Sequence, residues 1–184
     1  KMMSERMIMD LAAARSSNYV ILRYFNVAGA SRDGLLGQAT PEATHLIKVA
    51  CECVTGKRDG MSVFGTDYDT RDGTCIRDYI HVEDLAKAHV MALDYMADGG
   101  ESRVLNCGYG RGFTVREVID VVKQKSGNDF PVEETGRRAG DPAALMADNS
   151  QIRQVLGWQP DYDDLDTIVG TALAWEKIWQ DRQG

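Results

Sequence analysis

The stretch "NYVILRYFNV" (Asn18–Val27) decides the fold. It is a nearly continuous apolar run rich in β-branched and aromatic residues. Such a run predicts a strand covered on both faces, the situation of a parallel sheet. Just before it, Met3, Met7, Leu11 and Ala14 recur at helical spacing, so residues 1–15 read as an amphipathic helix. A helix feeding a buried strand is half of a βαβ unit.

Working outward, glycines 29, 34 and 37 break the pattern, and Thr40-Pro41 offers an N-cap with proline at the first helical position. The helix that follows carries Leu46, Ile47, Ala50 and Val54 and stops at Gly56. A short strand is expected at 61–64, a polar loop at 65–74 and an alternating strand at 75–82. Leu85, Ala92, Leu93 and Met96 mark a helix that ends at Gly99-Gly100. Residues 103–108 form another short buried strand. Thr114 and Glu117 then compose a capping box, with Gly127 closing that helix. "FPVEET" predicts one more strand, and helices near 149–156 and 163–180 complete the chain. Alternating strands and helices give the class α/β.

The 184 residues carry a net charge of −7 and no basic stripe, so nucleic acid and anionic membranes are excluded as partners. No apolar run approaches the ~18 residues of a membrane span. Cys51, Cys53, Cys75 and Cys107 show no CxxC pair, which predicts reduced thiols, a cytoplasmic setting and no metal site. The chain opens on Lys1 inside a helix and reads as the C-terminal portion of something longer.

Candidate chemistry gathers around "IRDYIHV" (76–82). Arg77 alternates with Tyr79 and His81, opposite Ile76, Ile80 and Val82, so Asp78 points with the isoleucines. A carboxylate there must be hydrogen-bonded, and it buttresses a neighbouring loop. Arg77 is left free to meet a ligand. His81 closes a strand, His89 reads as a packed core histidine, and His45 sits near a helix start, where backbone N–H groups favour anions. "GRRAGDPAALMAD" (136–148) sets Arg137 and Arg138 near Asp141 in a loop without period. A planar guanidinium fork suits phosphate, and an aspartate beside it suits sugar hydroxyls. Two such arginine–aspartate loops point to a nucleotide-sugar pyrophosphate. "CGYGRGFTV" has Gly108 and Gly110 but Phe113 at the third glycine position, so it reads as a turn into a capped helix rather than a dinucleotide fingerprint.

"LRYFNVAGA", "FGTDYDTRDGTCIRDYIHVEDLAKAH", "LNCGYGRGFTVREV", "RRAGDPA" and "ADNSQIRQVLGW" occur here in the order seen in UDP-glucose 4-epimerases. The chain therefore resembles that family of the extended short-chain dehydrogenase/reductase superfamily over nearly its whole length. The resemblance implies an NAD-binding Rossmann domain and a smaller domain holding the UDP-sugar. Residues 1–30 and the strand at 103–108 would belong to the first, and 31–102 with 109–184 to the second. It further implies interconversion of UDP-glucose and UDP-galactose through transient oxidation at C4, with NAD as cofactor, in a homodimer. Lys1 would be the lysine of the Tyr-x-x-x-Lys pair, bonding the nicotinamide ribose and lowering the tyrosine's pKa. That tyrosine, the catalytic Ser/Thr and the glycine-rich loop would lie upstream, leaving this chain inactive alone. Tyr24 and Phe25 would line the cofactor side and Asn26 would contact the UDP-sugar. Phe64 would pack near uracil, Arg77 and Arg138 would hold the pyrophosphate, and Asp141 the uridine ribose. His45 stands where the family often has asparagine. Leu145 stands where a small residue admits N-acetylated sugars and a bulky one does not. The alternatives are another nucleotide-sugar epimerase or dehydratase, or a non-catalytic sugar-nucleotide-binding fragment.

Overall fold

The computed structural model describes residues 1–182. Helix α1 (Met2–Arg15) leads into strand β1 (Val20–Tyr24), and after a break at Phe25 the chain continues as β2 (Asn26–Ala28). The single long strand expected at 18–27 is thus two strands serving two partners. β1 runs parallel to β6 (Arg103–Cys107), with Leu22 opposite Leu105, while β2 runs parallel to β5 (Tyr79–His81). β1 is also less covered than its composition suggests: Arg23 and Tyr24 are exposed, and Arg23 reaches Glu5 of α1. α1 is helical as expected, yet Met3, Met7 and Leu11 face outward and Ala12 is its one buried residue.

The region expected to be helical from Pro41 is a loop, in which Glu42 takes a positive φ of 50° that no right-handed helix allows. Helix α2 (Leu46–Val54) begins only after His45. The strand expected at 75–82 is likewise interrupted. β4 (Ile76–Arg77) pairs with β7 (Phe113–Thr114) and β9 (Ala144–Leu145), β5 takes over at Tyr79, and helix α3 (Val82–Ala97) starts directly after His81. β9 gives strand structure to a segment read as irregular. The break at Asp78 follows from its hydrogen bonding. Its carboxylate accepts from the backbone N–H groups of Tyr109, Gly110 and Ala147 at 3.0, 2.9 and 3.1 Å. Gly108 lets that carboxylate come close, since a Cβ there would lie 2.8 Å from Asp78 Oδ2.

Helix α4 (Val115–Ser126) is capped by the Thr114–Glu117 box and closed by Gly127 at φ 67°, as its sequence indicates. Strand β3 (Met61–Phe64) runs parallel to β8 (Val132–Thr135). Helices α5 (Ser150–Leu156) and α6 (Leu165–Asp181) end the fold. α2, α4 and α6 pack on one another around Ile47, Val118, Val122, Ile168 and Val169, each at most 2% exposed. Full burial of such a side chain is worth about 1.5–3 kcal/mol, so this cluster anchors the elements that carry the site. Charge also crosses it. Glu176 on α6 is fully buried and meets Lys48 of α2 and, at 2.9 Å, Lys57.

His89 is not a core histidine. It is exposed, its Nδ1 lies 2.8 Å from the Leu85 carbonyl, and its ring meets Tyr24 edge-on. The helix period places it beside Leu85, which is buried, but His89 lies at the margin of that face, where Tyr24 covers it only edge-on. His81 is the structural histidine, as expected. Its Nδ1 accepts from Glu83 N at 3.2 Å and its Nε2 meets Thr171 Oγ1 at 3.1 Å. Gly29 (φ 82°) closes this corner, where a Cβ would lie 2.5 Å from the imidazole.

Candidate functional site

Two adjoining clefts hold nearly all the candidate residues. The larger, about 730 Å³, is lined by Lys1, Tyr24 and Phe25 together with Ser31, Gln38 and Glu83. The second, about 470 Å³, is lined by Asn26, Phe64, Arg77, Arg138 and Asp141, and by Tyr79 and Cys75. His45 lines both and so stands at their junction. Both volumes fall in the range of small-molecule sites. Leu145 lines neither. It lies on β9 directly opposite Arg77 and is 43% exposed.

Each side chain of the second cleft is placed by local structure. Arg138 and Asp141 are the two ends of one tight turn, closed by the Asp141 N–H donating to the Arg138 carbonyl at 3.3 Å. Gly140 supplies the positive φ of 78° that the turn requires. From one end of this turn the Arg138 guanidinium lies over the Phe64 ring, 3.7 Å from its centroid. From the other, Asp141 Oδ1 accepts from Arg77, while Asp141 Oδ2 lies 3.7 Å from Cys75 Sγ. Arg77 therefore is not free, as its strand position suggests. Its guanidinium also donates to the Ile76 and Pro142 carbonyls at 2.6 and 2.8 Å. These three bonds leave part of the five-donor fork for a ligand. Asn26 donates through Nδ2 to the Asp78 carbonyl at 3.0 Å, which leaves its side-chain oxygen as an acceptor.

Arg137, the other half of the arginine pair, lies outside the cleft. It stacks on Tyr68 at 4.2 Å and donates to Asp67 at 2.7 Å, holding the Asp67 carboxyl below its ordinary value. Arg58 reaches the cleft but is engaged with Glu52 and the Ala43 carbonyl. Behind the site, burial pushes the Asp78 carboxyl up, and the N–H groups of Tyr109, Ala147 and Gly110 oppose that shift. Burial also pushes the Tyr79 phenol well above its usual range, so it stays protonated and able to donate. Tyr79 is a lining residue that the sequence reading passed over, as are Gln38 and Glu83. The signal for Tyr79 was present, since it shares a strand face with Arg77 two positions away.

All four cysteines are free and buried, and burial raises the Cys51 and Cys107 thiols to about 12. Among the described residues, no cluster of histidine, cysteine and carboxylate is suited to a metal ion, and no helix is long and apolar enough to cross a membrane.

The pattern of a family described as the NAD dependent epimerase/dehydratase family matches residues 1–108. A UDP-glucose 4-epimerase of Azospirillum brasilense is 55% identical over all of this chain and 53% of its own length. The UDP-Glc/GlcNAc 4-epimerase from Campylobacter jejuni is 56% identical, with a TM-score of 0.80 over 97% of this chain and 54% of its own. A UDP-glucose-4-epimerase from Stenotrophomonas maltophila, solved with NAD and formylated UDP-arabinopyranose, is 35% identical. Its TM-score is 0.93 over 100% of this chain and 55% of its own. The chain thus spans about half the length of the relatives it matches.

Proposed function

The chain belongs to the NAD dependent epimerase/dehydratase family, and on that footing we propose that it carries the UDP-sugar site and one wall of the NAD site of a UDP-glucose 4-epimerase. The observation that carries this reading is the single cleft joining Phe64, Arg77, Arg138 and Asp141, with Lys1, Tyr24 and Phe25 in the cleft next to it. Arg77 and Arg138 bind the diphosphate, Phe64 faces the uracil, Asp141 takes a ribose hydroxyl, and Asn26 accepts from the sugar. Two guanidinium groups, one on strand β4 and one on the 138–141 turn, fix the UDP end while the sugar is free to turn. Charge-assisted bonds of this kind are about twice as strong as neutral ones.

The cofactor-side cleft carries groups that suit the nicotinamide-ribose end of NAD. It offers one ammonium group, two aromatic rings and Glu83, one of whose carboxylate oxygens is buried without a partner. Lys1 would bond the nicotinamide ribose, and Tyr24 and Phe25 would flank the ring. NAD, when bound, supplies reversible hydride acceptance at the sugar's C4. The parallel pairing of β1 with β6 supports assigning 1–30 and 103–108 to the dinucleotide-binding domain, with 31–102 and 109–184 forming the UDP-sugar domain. Free buried thiols support a cytoplasmic setting. The exposed Met3, Met7 and Leu11 of α1 support a homodimer through that helix.

A second reading, acceptance of UDP-GlcNAc as well, is favoured by the 56% identity to the Campylobacter enzyme. Leu145, which the resemblance makes the residue that sets sugar size, lies opposite Arg77 but outside both clefts, so its part in this choice rests on the resemblance alone. The test is product analysis of the whole enzyme, this chain together with the upstream part that carries the tyrosine, with NAD and UDP-galactose, UDP-GlcNAc, UDP-xylose or dTDP-glucose; this chain alone is expected to be inactive. UDP-glucose formed from UDP-galactose is the expected result. Loss of water from dTDP-glucose, with UDP-galactose untouched, would make it a dehydratase instead.

A further inference from the structure

We infer that Gln38 is a positioning residue that holds His45 in the tautomer bearing its proton on Nε2, so that the ring donates a hydrogen bond where the two clefts meet. The inference rests on the proposed reading of those clefts. Gln38 Nε2 lies 2.9 Å from His45 Nδ1. With the amide nitrogen facing the ring, its N–H donates and Nδ1 accepts, and in a neutral ring the proton then sits on Nε2; the flipped amide would give the opposite tautomer, which imidazole spectra distinguish.

Two features show that the ring is committed to this contact. His45 occupies the N-cap position of α2 yet makes no side-chain capping bond, whereas His81, the N-cap of α3, uses its Nδ1 for that purpose. The Gln38 backbone is held firmly. Its backbone carbonyl accepts from the buried Trp175 indole at 3.0 Å, and Gly37 lies against the same ring so closely that a Cβ would approach to 2.3 Å. α6 therefore places Gln38, Gln38 orients His45, and His45 presents Nε2–H beside the nine-residue helix α2. An acceptor oxygen, from a phosphate or a sugar hydroxyl, is the partner that such a donor recognises. A glutamate at position 38 would do the reverse: a carboxylate accepts only, drawing the proton to Nδ1 and leaving Nε2 to repel the same oxygen.

The protein has three histidines, which makes nitrogen-15 imidazole spectra tractable, with His45 assigned by its loss in His45→Asn. The expected result is an Nε2–H tautomer for neutral His45 in the wild type, its reversal in Gln38→Glu, and a mixture in Gln38→Ala. UDP affinity should fall roughly tenfold in Gln38→Glu and less in Gln38→Ala, with both variants melting as the wild type does. An Nδ1–H ring in the wild type, or an unchanged tautomer in Gln38→Glu, overturns the inference. Because the spectra are taken without ligand, they decide it even if UDP does not bind, an outcome that would sink the functional reading alone.

Discussion

Arg77 and Asp78 are chain neighbours with opposite environments. Asp78 is fully buried and bonded to three backbone N–H groups that have no other partner, so its interactions are structural. Arg77 lies on a cleft wall and is bonded to a side chain, Asp141, that is itself a candidate ligand contact. The first set of bonds cannot be exchanged without unfolding a corner. The second can be traded for bonds to a diphosphate at little cost, because every group involved can reach water or ligand. Two polar residues one position apart thus divide stability from recognition.

The sharpest way to break this comparison is Asp78→Ala. Leaving three buried donors unsatisfied should lower unfolding stability by about 3–5 kcal/mol, read from urea denaturation. A loss under about 1 kcal/mol would show that the buttress is dispensable. On the other side, Arg77→Ala should weaken UDP binding roughly hundredfold and Arg138→Ala roughly tenfold by titration calorimetry, while stability changes by about 1 kcal/mol or less. The smallest effect concerns His81, which sits on the structural side. Burial lowers its pKa, against the pull of Glu83, Asp84 and Asp164. The unfolded chain therefore takes up the proton first, so the neutral ring's stabilisation is present above about pH 6.5 and lost as pH falls through the folded value. Melting temperatures should decline over that window in the wild type and decline less in His81→Asn.

Much of the structural half was legible because its determinants are local. The Thr114–Glu117 capping box, the Gly127 stop and the inward set of Asp78 each follow from residues within a few positions. The alternation at 76–82 separated Arg77 from Asp78 correctly even though the strand itself breaks between them. What escaped the sequence depends on distant partners. Asp141, which engages Arg77, lies 64 residues away, and the Trp175 that fixes Gln38 lies 137 residues away. The loop before α2 was misread because Thr40-Pro41 is a good start signal that the positive φ at Glu42 overrides. His89 was misread because helical period tells which residues share a face, not how completely each of them is covered.

The turn that joins Arg138 to Asp141 carries a kinetic consequence. Phe64 and Arg77 reach that turn only through β3–β8 and β4–β9, pairings that close loops of more than sixty residues. Closures of that length come late when a chain collapses, because their entropy must be spent before any contact rewards it. A nucleotide that recognises all four side chains would therefore report the final stage of folding, and its presence during refolding should trap molecules that have completed it.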